Sequence, residues 1–369
     1  MTTETSGVPA VEGVISAAQV LGTAAAIAGV QQDDGGIPWA VGEHIDAWNH
    51  VEAAMALLVA GQDPAATAAY DWCLATQRAD GSWPMKTVGS TVEDPSGDTN
   101  MSTYLAVGVW HHWLLRRDRA FVRRCWPAVR AGLDFAAWMQ LPFGGIAWAQ
   151  QADGTVHEEA LLAGSSSIYH AFRAGLALAD LVDDPQPAWE LAAGRLRHAL
   201  EAHRELFLDK AEFSMDWYYP VLCGPLRGAE ATGLLAARWD DFVVEGLGCR
   251  CVAINPWVTG AETSELAMAL DNIGDRTRAI SLLGAIQHSR HESGLYWTGY
   301  VFDDDAFWPV EQTTYTSAAV VLAADALSRT TPGSGIFRGD TLPADPPSLA
   351  VQCGCVGEDA AWVGSVSGR

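Results

Sequence analysis

Positive charge is what this 369-residue chain has little of: 22 Lys plus Arg stand against 45 Asp plus Glu, for a formal charge of -23. Such a field repels a phosphate backbone and an anionic lipid surface at every approach, so nucleic-acid and peripheral-membrane partners are excluded. No run of about 18 uninterrupted apolar residues is present, and no segment reads as a membrane span. The Ala-rich stretch from Val14 to Val30 follows Glu4 and Glu12 and no Lys or Arg, which argues for a helix rather than a secretory signal. Seven cysteines supply no even disulfide framework, and a reducing cytoplasm is the expected location. Gly-x-Gly-x-x-Gly after a strand, the P-loop and Gly-x-Ser-x-Gly are all missing, which leaves dinucleotide, nucleoside-triphosphate and serine-hydrolase chemistry without a motif. Two Cys-x-Cys pairs, Cys249 with Cys251 and Cys353 with Cys355, would form a four-thiolate zinc site if the tail folded back. That spacing is tighter than in structural zinc knuckles, so buried thiols are expected, with no metal and no cofactor.

The chain is rich in tryptophan, with 16, and 49% of its residues are hydrophobic, enough for a large core. Trp39, Trp83, Trp148 and Trp297 each stand just after a Gly turn that separates two segments of helical apolar spacing. The repeating unit is therefore helix, loop, helix. One set of segments, near residues 44–61, 100–116, 164–181, 229–237, 263–273 and 313–328, is crowded with Ala, Ser, Gly, Thr and Val, as helices covered on both faces would be. The other set, such as 65–76, 120–139, 187–207 and 276–288, carries charge on one face. Six inner and about six outer helices predict an all-α fold, an (α/α)6 six-hairpin toroid over residues 1–330. Residues 239–258 read as irregular chain or short strands, and residues 331–369 as a mostly irregular tail packed on the barrel.

Each unit delivers an acid just ahead of or at the start of an inner helix: Asp46, Asp98, Glu158 with Glu159, Asp216, Glu262 and Glu311. Helix capping accounts for an acid at such a position without any chemistry. It does not account for the aromatics of the same loops, Trp39, Trp48, Trp217, Tyr218, Tyr219, Trp257, Trp297 and Trp308 among them, although about half of these are expected to plug the space between hairpins. Tyr104, His44 and His50, which flank Asp46 and Trp48, and His170 add polar groups expected to face the mouth. Carboxylates interleaved with aromatic platforms suit a sugar, whose C–H faces stack on rings while its hydroxyls meet acids. Hydrolysis of a glycosidic bond then needs one protonated and one ionised carboxyl.

The segment HEEALLAGSSSIYHAFRAGLALAD resembles the part of glucoamylase-type glycosidases where a Glu-Glu pair precedes a Gly-Ser-Ser run, and EQTTYTSAAVVLAADAL resembles their final inner helix. The resemblance implies an inverting α/α-barrel hydrolase with Glu158 or Glu159 as general acid and Glu311 as general base. Two extra residues separate the first of these acids from Gly164, so Asp216 stands as a further candidate acid. QRADGSW, Gln77 to Trp83, resembles the repeat of terpene cyclases and prenyltransferase β-subunits, in which Gln and Trp tie helix ends together. The run Asp303 to Asp305 does not fit the Asp-x-Asp-Asp acid of a protonating cyclase, and Lys, needed around a diphosphate, is almost absent. A glycosidase acting on an oligo- or polysaccharide is the expectation, with a cyclase or prenyltransferase-like protein, a histidine-based sugar epimerase and a non-catalytic glycan-binding barrel as alternatives.

Overall fold

Thirteen α-helices carry most of the chain in the computed structural model, which describes residues 7–350. They are α1 (Ala17–Val30), α2 (Ala47–Val59), α3 (Asp63–Thr76), α4 (Thr99–Arg116), α5 (Arg119–Trp138), α6 (Leu162–Val182) and α7 (Pro187–Ala202). There follow α8 (Ser214–Leu222), α9 (Gly228–Ala237), the single turn α10 (Trp239–Phe242), α11 (Gly260–Asn272), α12 (Arg276–Ala285) and α13 (Thr314–Ser328). Helices α2, α4, α6, α8, α11 and α13 each pack on the next, and α13 returns to α2, so six inner helices close a ring. The small residues permit this: every residue of α13 from Thr314 to Leu327 is buried, whereas α5 buries Phe121, Val122, Cys125 and Leu133 and turns its arginines outward. The expected six-hairpin toroid is present.

The fourth hairpin corrects the sequence reading. Its inner helix is α8, SMDWYYPVL, which buries Trp217 through Leu222, and not residues 229–237, which form the outer helix α9 and bury only Ala231 and Leu235. Pro220 inside α8 and its bulky aromatics disguise a short inner helix, while the Ala, Gly and Thr of α9 imitate one.

The Gln-to-Gly turns bolt the outer ring together. At the end of α3, Gln77 Nε2 donates to Gly81 O and to Ala128 O of α5, both at 2.9 Å, and Trp83 Nε1 donates to Cys73 O at 3.2 Å. Gln31 repeats this between α1 and Ala65 of α3, and Gln140 between α5 and Ala192 of α7. Gly81 has φ +93°, and a Cβ there would lie 2.1 Å from Ala131 O, so only glycine lets the turn sit against α5.

All inner helices begin at the same end of the ring, and the other end is shut by the segment after α13. Buried Asp325 accepts from Thr331 N–H at 2.8 Å, which turns the chain back. Asp271 at the end of α11 takes Arg329 and Arg338, and Phe337 is buried against the barrel. The segment then crosses α6 and α7, where Arg173 Nε meets Asp345 at 3.1 Å and Leu349 N–H donates to Gly194 O at 3.0 Å. At the open end, the loops before α11 and α13 build one antiparallel sheet in the order Ala306–Phe307, Gly299–Val301, Trp257–Thr259, Gly248–Arg250, Val243–Val244. No helix among the described residues is long and apolar enough to cross a membrane.

Candidate active site

Trp48, in the first turn of α2, forms the floor of the open end. Its ring meets Tyr104 of α4 at 5.9 Å, Tyr219 of α8 at 6.2 Å and Tyr315 of α13 at 5.7 Å between centroids. The sequence reading named Trp48 and Tyr104 as sugar contacts, and the fold brings both to the floor.

One arc of the rim gathers acids and aromatics. Glu311 Oε1 accepts from Trp39 Nε1 at 2.9 Å and from Thr298 Oγ1 at 3.2 Å, which fixes the carboxyl, and no donor among the described residues holds Oε2. Trp39 stacks on Tyr315 at 5.6 Å and on His44 at 6.0 Å. His44 Nε2 lies 3.6 Å from Asp46. Asp46 and Asp98 cap α2 and α4, accepting from Asn49 N–H at 2.9 Å and Met101 N–H at 2.8 Å, so capping is part of their work. Burial pushes the Asp98 carboxyl up to about 7, and the nearby Asp46 charge adds to this. Glu262, in the first turn of α11, is half-buried near Cys251. The sheet adds a wall of rings: Trp257 and Trp308 meet at 5.1 Å, with Trp308 56% exposed, and Trp297 stacks on Phe307 at 5.3 Å.

Other expected site residues lie elsewhere. Glu158 and Glu159 are exposed on the loop before α6, and no donor among the described residues holds either carboxyl. Asp216 accepts from Ala163 N–H at 3.0 Å and so ties α8 to the start of α6; burial pushes it up to about 6. Trp217 is buried, donates to Leu234 O at 2.9 Å and stacks on Phe242, so it packs hairpins together. His50 turns away from the mouth toward α3: Ile37 N–H donates to Nδ1 at 2.9 Å, and Nε2 lies 2.8 Å from Ala69 O. His170 is buried below the floor beside Phe337. Tyr218 is buried with its hydroxyl on Glu265. Cys249 is buried and Cys251 half-buried, both free; Cys353 and Cys355 lie outside the described residues. Among the described residues no group of three or more His, Cys, Asp and Glu side chains is placed to hold a metal ion.

Sequence reasoning missed the two carboxyls beneath the floor. Glu52 of α2 and Glu265 of α11 are both buried. Glu265 accepts from the hydroxyls of Tyr218, Tyr219 at 2.9 Å and Tyr315 at 2.6 Å. Glu52 accepts from Tyr104 at 3.3 Å. Desolvation, added to by their mutual repulsion, drives Glu52 well above the usual carboxylate range, and burial pushes Glu265 up to about 7 against the lowering by its tyrosines. The signal was available: each is a glutamate within an Ala-rich helix that is buried all round, where a charge is rare unless it is held.

No family model matches the chain. A protein of Mycolicibacterium hassiacum named MMP endo-(1,4)-3-O-methyl-alpha-D-mannosidase is 56% identical over 336 residues, which span 91% of this chain and 93% of that protein. The chain belongs to the family of that mannosidase. It is a glycoside hydrolase, an enzyme acting on carbohydrate. Among solved structures, a wild-type glycosidase superposes with a TM-score of 0.66 at 16% identity, covering 85% of this chain and 98% of that one. The cellobiose 2-epimerase of Spirochaeta thermophila gives 0.61 at 12%, covering 85% and 97%. Both share the toroid with this glycosidase. The prenyltransferase-like alternative finds no support in these relatives, and the QRADGSW segment does the structural work of joining outer helices.

Proposed function

We propose that this glycosidase cleaves α-(1→4) bonds within chains of 3-O-methyl-D-mannose, with inversion at the anomeric carbon. The observation that carries the substrate is the 56% identity to the Mycolicibacterium hassiacum mannosidase over 91% of the chain. Glu311, held by Trp39 and Thr298 through one oxygen, serves as general base and activates water with the other. Asp98 takes the general acid's role in place of Glu158 or Glu159, because burial lets it keep a proton near neutral pH. These two carboxyls stand at the heads of α4 and α13, with α2 between them in the inner ring. Inversion requires the two carboxyls to stand about 6.5–9.5 Å apart, the wider spacing that leaves room for the attacking water. The C–H face and methoxy group of a mannose unit lie on Trp48, while Trp257 and Trp308 meet units further along the chain. We assign residues 1–330 to one catalytic domain, with the segment beyond as its closure, and place the enzyme in the reducing cytoplasm, in keeping with the free thiols Cys73, Cys125, Cys223, Cys249 and Cys251.

The test is hydrolysis of α-(1→4)-linked 3-O-methylmannose oligosaccharides, followed by mass spectrometry for products and by proton NMR for the first-formed anomer. Internal fragments with the β-hemiacetal appearing first are expected. Release of single terminal units overturns endo action, a first-formed α-anomer overturns inversion, and no cleavage overturns the substrate.

A further inference from the structure

Among the described residues, the three rings that touch Trp48 are tethered through their hydroxyls to the two buried carboxyls. Tyr104 reaches Glu52, and Tyr219 and Tyr315 reach Glu265. These tyrosines come from α4, α8 and α13, and the carboxyls from α2 and α11, so five of the six inner helices meet in one network. A tyrosine hydroxyl can rotate its proton toward many acceptors, but a buried carboxyl with several phenols converging on it fixes the direction of each ring. No sugar reaches Glu265, since it is 2% exposed and the tyrosines cover it. It therefore works on substrate only through the rings.

We propose that Glu265, seconded by Glu52, is a positioning residue that holds Tyr219 and Tyr315 against Trp48 and so sets the angle of the platform on which the sugar lies. This rests on the reading that the substrate stacks on Trp48. The aromatic floor then behaves as one rigid unit, and its affinity for sugar depends on a carboxyl that never touches the ligand. Loss of the Tyr219 tether frees the platform at a ring that meets Trp48 and Tyr218, so its effect falls on binding, whereas Tyr315 also stacks on Trp39 and its release reaches the Glu311 carboxyl that Trp39 holds.

Glu265→Gln, Tyr219→Phe and Tyr315→Phe are compared with the wild type in steady-state hydrolysis and in ¹⁹F NMR of protein labelled with 5-fluorotryptophan, the Trp48 resonance being identified by its loss in Trp48→Phe. Each variant is expected to raise KM about fivefold to tenfold and to broaden or shift the Trp48 line, with kcat within about twofold in Tyr219→Phe, whose ring does not stack on Trp39. The two Phe variants keep the carboxyl and the barrel intact, so they decide the matter if Glu265→Gln does not fold. An unchanged Trp48 line with unchanged KM overturns the proposal, and so does a loss confined to kcat. The NMR arm uses the free enzyme, so it stands even if the proposed mannan is not cleaved.

Discussion

Trp39 donates its indole N–H to Glu311 at 2.9 Å across 272 residues of chain, joining the loop before the first inner helix to the loop before the last. Thr314 N–H adds a second tie to Trp39 O at 2.9 Å. The closure of the toroid and the orientation of the Glu311 carboxyl are thus one structural event. A carboxylate with one oxygen held by two donors has its remaining lone pairs aimed by the scaffold rather than by chance rotation. Trp39→Phe keeps the stacking on Tyr315 but removes the donor. It is expected to lower kcat about tenfold with a small change in KM, as read by steady-state kinetics on a mannan oligosaccharide.

Glu311→Gln removes the proposed base while keeping its hydrogen-bonding shape. A cost of about 10² or more in kcat is expected, with a thermal midpoint close to the wild type. Glu158→Gln and Glu159→Gln, on the exposed loop before α6, are expected to retain full activity. Loss of activity in either loop variant would return the acid's role to that loop.

The architecture was legible because the inner and outer helices differ in composition for a physical reason. Helices such as α13, covered on both faces, admit small residues, and the ring around them carries the charge. Trp after a Gly turn marked the hairpins, and the Gln77 to Trp83 segment was correctly read as a structural tie. The fourth inner helix escaped because Pro220 and three adjacent aromatics mask a nine-residue helix. Of the candidate site, Glu311, Asp46, Asp98, Trp48 and Tyr104 were singled out by their place at helix starts or near them. His50 and Trp217 occupy the same kind of place but face the neighbouring hairpin, since helical phase, not proximity to the mouth, decides which way a side chain turns. Glu52 and Glu265 were passed over because they stand a turn deeper than the loops in which acids were sought.

His50 offers a test of that packing. Ile37 N–H donates to Nδ1, so Nδ1 carries no proton and Nε2 must donate to Ala69 O, which fixes the neutral Nε2–H tautomer. Burial lowers its pKa to about 4. Between pH 6.5 and 4 the unfolded chain takes up a proton on this ring that the folded chain refuses, so its contribution falls with pH in that window, by about 3 kcal/mol at the limit. Long-range ¹⁵N–¹H spectra, with His50 assigned by its absence in His50→Gln, are expected to show that tautomer from pH 7 down to about 4. Protonation near 6.5 would place the ring in solvent instead.

In the proposed mechanism Asp98 sets the alkaline side of activity. Its role requires the protonated form, and burial with the adjacent Asp46 charge holds the carboxyl up to about 7, so the competent fraction is full in mild acid and drains as pH rises through that value. kcat/KM for the free enzyme is therefore expected to fall tenfold per pH unit above about 7. Asp98→Asn cannot donate as an acid, so it should cost about 10² or more on an alkyl-linked sugar and abolish that limb of the profile. An activated aryl mannoside, whose leaving oxygen needs no proton, should recover most of the loss. Asn still accepts Met101 N–H at the head of α4, which keeps the cap and separates the chemical role from the structural one. An Asp98→Asn enzyme with an unchanged alkaline limb would assign the proton to another carboxyl of the rim, with Glu262 on the opposite inner helix next to be tested.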